Sequence, residues 1–137
     1  MSYSSKKGYV GEVEFASFLN ATLKEFGHEY VRMGKQERNK KFYFGDVVIN
    51  PKTDPKGLSV LKDYFLESKV HALPQVINIF EEAEANARTY GKRGSICYIV
   101  KQAGGQKRKS EFIVMSKLTF ASILRELQGW RQEPPQD

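Results

Sequence analysis

The sequence predicts one α/β domain: a mixed sheet with helices on its faces, in the order α-β-β-β-α-β-β-α. Three observations carry this reading. The runs Tyr64–Val70 and Ser95–Lys101 are built largely of aromatic, apolar and β-branched residues, as strands covered on both faces are. A stripe of helical period precedes the first run, and a second stripe lies between the two. Further short strands and a last helix complete the order, which fits a layered sheet-and-helix architecture. At 137 residues the chain is long enough for one substantial core and too short to divide into two.

In chain order, Tyr9 to about Phe26 reads as a helix. Glu12, Ala16, Leu19, Leu23 and Phe26 share one line along it, with Phe15 at the edge. Gly27 closes it. Tyr30–Met33 is a short strand, Gly34–Lys41 a basic loop, and Phe42–Ile49 a strand resumed. Asn50–Gly57 is turn chemistry. Residues 58–63 are either a helical turn or a continuation of the hairpin. After the Tyr64–Val70 strand, Pro74 suits the first turn of a helix reaching Tyr90, with Gly91 as its stop. Its expected buried stripe is Val76, Ile77, Phe80, Ala83 and Ala87, which leaves Glu81, Glu82 and Glu84 as surface charge. Ser95–Lys101 follows, then a basic turn and the strand Phe112–Met115. Ser116 caps a last helix from Leu118 to Leu127, ending near Gly129. The folded domain is thus expected over residues 1–129, with 130–137 as a disordered tail.

Composition narrows the function. The net charge is +6, and residues 88–117 hold eight basic side chains against the single acid Glu111. Such clustering suits a polyanionic partner, although an ordinary solvated surface looks the same on charge alone. No apolar run approaches the roughly 20 residues of a membrane span, and Met1–Lys7 lacks the apolar segment of a secretory signal. Cys97 is the only cysteine, which excludes an internal disulfide and a zinc cluster and fits a reducing, cytoplasmic setting.

The chemistry concentrates on four residues. Glu67 and Lys69 project from one face of a buried strand, roughly 6–7 Å apart by the strand rise. Asp46 begins the preceding strand, within reach of Glu67 if the two strands are neighbours in register. Glu12 sits inside the apolar stripe of the first helix, where an unpartnered carboxylate is costly; the alternative is that the stripe ends just above it and Glu12 meets solvent. Three converging carboxylates without His or Cys favour Mg²⁺ or Mn²⁺. Lys69 beside them would position a water and offset phosphate charge. Asp54-Pro55-Lys56 has the same acid-x-lysine spacing but lies on a proline turn that aims neither side chain.

Gly11-Glu12, Gly45-Asp46-Val47-Val48 and Glu67-Ser68-Lys69 together resemble the signature of the PD-(D/E)xK nuclease superfamily, with Gly45 in place of the motif proline. Within it the chain looks most like the archaeal-type Holliday-junction resolvases, including forms encoded by viruses. The short length, the Gly8-x-x-Gly11-Glu12 helix, Val31-Arg32 before a loop, and Tyr98-Ile99-Val100-Lys101 carry that likeness, which covers roughly residues 8–116. The resemblance implies a restriction-endonuclease-like sheet and a homodimer that cuts opposing strands of branched DNA in the cytoplasm (the host's, for a viral protein). It implies Mg²⁺, with Mn²⁺ able to substitute, on Asp46, Glu67 and the Ser68 carbonyl, with Glu12 supporting the metal or its water. It implies catalytic roles for Glu12, Asp46, Glu67 and Lys69, and neither a membrane nor a small-molecule cofactor. Arg32, Lys35, Arg38, Lys40, Lys41, His71 and Lys101 would contact DNA. The chain departs from that pattern in three places. Met33–Lys41 lacks the serine such loops carry, His71 stands where glutamine is common, and the Asp46–Glu67 linker is long. The rival expectations are a nuclease of the same chemistry acting on linear duplex, flaps or ends, and a non-catalytic DNA-binding module.

Overall fold

The computed structural model describes residues 3–33, 45–71, 75–102 and 109–132. Helix α1 spans Tyr3–Thr22, with a 3₁₀ turn at Lys24–Phe26, and is followed by strands β1 (Tyr30–Arg32), β2 (Val47–Ile49) and β3 (Tyr64–His71). Helix α2 (Val76–Thr89), strands β4 (Gly94–Lys101) and β5 (Ser110–Val114) and helix α3 (Lys117–Gln132) complete the chain. This is the expected order. The sheet is mixed and runs β1-β2-β3-β4-β5, with β3 and β4 parallel and every other pairing antiparallel.

Both central strands are deeply buried because helices cover both faces of the sheet. On one face, Phe15, Ala16 and Leu19 of α1 pack against Tyr30, Val47, Tyr64, Leu66, Ile96, Tyr98 and Val100, and Ile123 of α3 joins this cluster. On the other face, Ile79 and Ala83 of α2 pack against Cys97 and Ile99. Strand alternation assigns the faces: even-numbered residues of β3 meet α1 and odd-numbered ones meet α2. Burying apolar surface on both sides, at about 25 cal/mol per Å², is the main force that holds these layers together.

Several expectations shift. Phe26 is exposed, because α1 gives way to the 3₁₀ turn before that residue. On α2, Ile77 is 67% exposed and Ile79 is buried instead; Ile79 lies three residues from Val76 and four from Ala83, which keeps it in the stripe. Glu84 is more than surface charge: its Oε2 accepts the Ser95 N–H at 2.9 Å, at the entry to β4. Residues 60–63 form a 3₁₀ turn. Ser116 caps α3, its Oγ accepting the Thr119 N–H at 3.0 Å. That helix continues through Gly129 to Gln132, so residues 130–132 are helical rather than tail; one glycine costs a helix only about 1 kcal/mol relative to alanine and need not end it. No helix among the described residues is long and apolar enough to cross a membrane.

Candidate active site

Two local devices place Asp46. Gly45 has φ +140°, a backbone conformation that glycine tolerates and proline, held near −65°, does not reach. A Cβ at Gly45 would lie 3.0 Å from the Leu66 backbone nitrogen, so the chain uses this glycine to bring β2 close against β3. Asp46 then donates its N–H to the Leu66 carbonyl at 2.8 Å. Its side-chain Oδ2 accepts the Ser68 N–H at 2.9 Å. In a strand the N–H and C=O of one residue point to the same edge, so the Ser68 carbonyl faces the edge where the Asp46 carboxylate sits.

Glu67 and Lys69 leave β3 on its odd-numbered face, under α2. The Lys69 ammonium lies 3.6 Å from Glu67 Oε1. Asp46 and Glu67 are 3% and 6% exposed. Burial is the largest influence on the Glu67 carboxyl and, with the nearby Asp46 charge and a hydrogen bond to the Asp46 side chain, pushes it up to about 8; Lys69 pulls the other way. Burial and the neighbouring Asp46 charge therefore favour the protonated form of Glu67. Replacing that proton with a hard cation would relieve their repulsion.

Glu12 is the departure from the expected constellation. It is 5% exposed, and its Oε2 accepts a hydrogen bond from Arg32 Nε at 3.1 Å. The Arg32 guanidinium also lies over the Tyr9 ring, 4.5 Å from its centroid. Among the described residues no three His, Cys, Asp or Glu side chains come close enough together to hold a metal ion. The expected grouping of Glu12, Asp46 and Glu67 around one ion is not formed among the described residues. The reason is parity. α1 packs on the even face, where a Cβ on Gly11 would touch Ser68 Oγ and Val70, whereas Glu67 projects from the odd face. The buried Glu12 carboxylate is met by Arg32, so Arg32 helps hold α1 to the sheet.

The residues present still suit Mg²⁺ or Mn²⁺. Mg²⁺ is commonly held by one or two carboxylates, with waters and substrate oxygens completing its shell. Asp46, Glu67 and the Ser68 carbonyl are such a set.

The remaining candidates divide. His71 and Lys101 are register partners at the ends of β3 and β4, both exposed and on the same face as Lys69. Lys35, Arg38, Lys40 and Lys41 lie outside the described residues. Part of the basic cluster is already engaged. Lys109 Nζ bonds both Glu14 oxygens at 2.6 Å, and the Tyr98 hydroxyl, its pKa raised first by burial, donates to Glu14 and Glu111. Arg93 pairs with Glu126 at 3.2 Å. Glu81 and Glu82 are exposed on α2, as expected of surface charge. Compared with known proteins, the chain matches no family model, no curated protein and no solved structure.

Proposed function

We propose that this protein is a metal-dependent DNA endonuclease that resolves four-way junctions by paired phosphodiester hydrolysis, acting as a homodimer on a restriction-endonuclease-like sheet. One observation carries the reading: two buried carboxylates at the β2–β3 junction, Asp46 and Glu67, with an ammonium 3.6 Å from the second. Purely structural roles account poorly for two acids placed together in a protein interior, because burial and mutual repulsion both oppose their ionisation.

Mg²⁺ bound by Asp46, Glu67 and the Ser68 carbonyl would polarise a phosphate oxygen and acidify a bound water. The chain's own groups supply the rest. Asp46 is fixed by the Ser68 N–H and the tight Gly45 turn, so its carboxylate is oriented before substrate arrives. Lys69 holds the attacking water by hydrogen bonding and offsets the negative charge that builds on the phosphate. Exposed His71 and Lys101, farther along the same face, lie where the adjoining phosphate of the strand would pass. Two-fold symmetric cutting of a junction needs two such sites related by a two-fold axis, hence the dimer.

The test is incubation with Mg²⁺ and either a four-way junction or matched linear duplexes. Symmetric nicks confined to the junction support the proposal. Equal digestion of linear DNA makes the protein a general nuclease, and no cleavage of either substrate removes the catalytic reading.

A further inference from the structure

The two edges of the sheet are finished differently. β1 is three residues long, and Asn20 of α1 takes both backbone groups of Tyr30, accepting its N–H at 2.6 Å and donating to its carbonyl at 2.9 Å. That edge is closed to a further strand. β5, at the other end of the sheet, pairs with β4 on one side, and no described segment pairs with its outer side. Edge strands are commonly guarded by a charge, a proline or a bulge. β5 holds no proline, and its one acid, Glu111, accepts the Tyr98 hydroxyl on the even face. Lys109, just ahead of the strand, reaches Glu14 of α1 instead. Phe112 and Ile113, on opposite faces of β5, are 47% and 45% exposed.

We propose that β5 pairs antiparallel with β5 of a second copy, joining two five-stranded sheets into one about a two-fold axis at Phe112. An edge that pairs with its own copy is isologous and closes the assembly at two chains; the outer edges are then the two β1 strands capped by Asn20. Centred on Phe112, the middle residue of β5, the register sets the two phenyl rings across the axis and Glu111 opposite Ile113 of the second copy. Centred on Glu111 it would oppose like charges. Leu118 and Phe120, where α3 leaves the end of β5, are 80% and 53% exposed and flank the strand. With Phe112 and Ile113 they offer roughly 350–550 Å² of apolar surface per copy, at about 150–250 Å² for a large side chain. That is about half of the roughly 800 Å² per partner of a stable interface before the strand backbone is counted. The inference rests on the proposed function for its purpose, a two-fold assembly, and not on the hydrolytic chemistry. Phe112 is the register partner of Ile99, and Ile99 of Lys69, so the axis lies level with the candidate sites. A two-fold normal to the sheet leaves both odd faces on one side. The two Lys69 residues then stand five strand spacings apart, about 24 Å at roughly 4.8 Å each, and one branched DNA reaches both.

Sedimentation equilibrium of the full chain tests this without recourse to cleavage. The wild type should have the mass of two chains. Phe112→Lys sets two ammonium groups across the axis and should sediment as one chain. Ile77→Lys, at a 67% exposed apolar position on α2, should keep the dimer; circular dichroism checks that both variants fold. Phe112→Cys gives an independent readout. Directly opposed residues of an antiparallel pair have Cα atoms about 4.5–5.5 Å apart, within the span of a disulfide, so mild oxidation should link two chains through position 112. Cys97 is buried, and the wild type should show no such link. A wild type that sediments as one chain overturns the inference and removes the homodimer from the nuclease reading, while the hydrolytic site stands. A wild-type dimer that persists in Phe112→Lys, or that yields no link at position 112, overturns this inference alone. Dissociation by Ile77→Lys also overturns it, because loss of apolar surface anywhere would then suffice.

Discussion

Asp46 Oδ2 accepts the Ser68 N–H at 2.9 Å, so the acid that opens β2 also closes the edge of β3. The register contact between these strands is confined to Val47 and Leu66. Asp46 extends it with its own N–H to the Leu66 carbonyl and with its side chain to Ser68. One residue therefore joins two strands and presents the first carboxylate of the candidate site.

Asp46→Asn and Asp46→Ala should separate these roles. On the proposed nuclease reading, both should abolish Mg²⁺-dependent cleavage. Asp46→Ala also leaves the buried Ser68 N–H without an acceptor and should cost about 1–3 kcal/mol of stability, whereas Asn keeps an acceptor oxygen and should cost less. Urea unfolding measures the difference; equal destabilisation by the two would show that the Ser68 bond does not matter.

Stability of the metal-free protein should fall as pH rises. The Glu67 carboxyl, ordinarily near 4.5, is raised to about 8 in the folded state. Between those values the native chain keeps a proton that the unfolded chain has released, so raising pH favours unfolding, by up to about 1.4 kcal/mol per pH unit. Thermal melts from pH 5 to 8 should show a declining Tm, and Glu67→Gln should flatten the decline. Saturating Mn²⁺ should raise Tm most at the alkaline end, where less proton must be displaced.

Gly11 and Gly8 sit one helical turn apart and should respond oppositely to alanine. At Gly11 a Cβ would fall 2.6 Å from Val70 Cγ2 and 2.9 Å from Ser68 Oγ; at Gly8 it would meet nothing within 4 Å. Gly11→Ala should destabilise by about 1–3 kcal/mol through overpacking. Gly8→Ala should be neutral or stabilise by up to about 1 kcal/mol through helix propensity. Parallel denaturant titrations decide, and a stabilised Gly11→Ala would mean that α1 stands off β3.

Arg32 and Glu12 should be strongly coupled. Removing either partner of a buried pair leaves the other uncompensated. Because Arg32 is about one-third exposed, each single change (Glu12→Gln, Arg32→Met) is expected to cost about 1–3 kcal/mol. The double variant should cost clearly less than their sum, as read by a double-mutant cycle. If Glu12 served mainly to bind metal, Arg32→Met would be mild and the cycle would show no coupling.

Element order was legible because period and punctuation are local properties. Tyr64–Val70 alternates, Gly91 has the positive φ of a helix stop at +70°, and Ser116 caps the helix that follows it. The acid-lysine pair was legible for the same reason, since Glu67 and Lys69 share a strand and alternation puts them on one face. Asp46 was legible through its place at a strand start, though not its hydrogen bond to Ser68. Ile77 was misplaced because a helical stripe more than 100° wide admits either Ile77 or Ile79 until its partners are known.

From sequence alone, then, came a mixed α/β chain in eight elements, a buried strand carrying Glu67 and Lys69, and an acid opening the strand before it. Tertiary structure decided which acids share a face. Glu12 belongs to α1 and the even face, with Arg32, whereas Glu67 and Lys69 project from the odd face, under α2. Helical and strand periods fix where a side chain points on its own element, but the side of the sheet on which each helix packs is settled by contacts between residues distant in the chain.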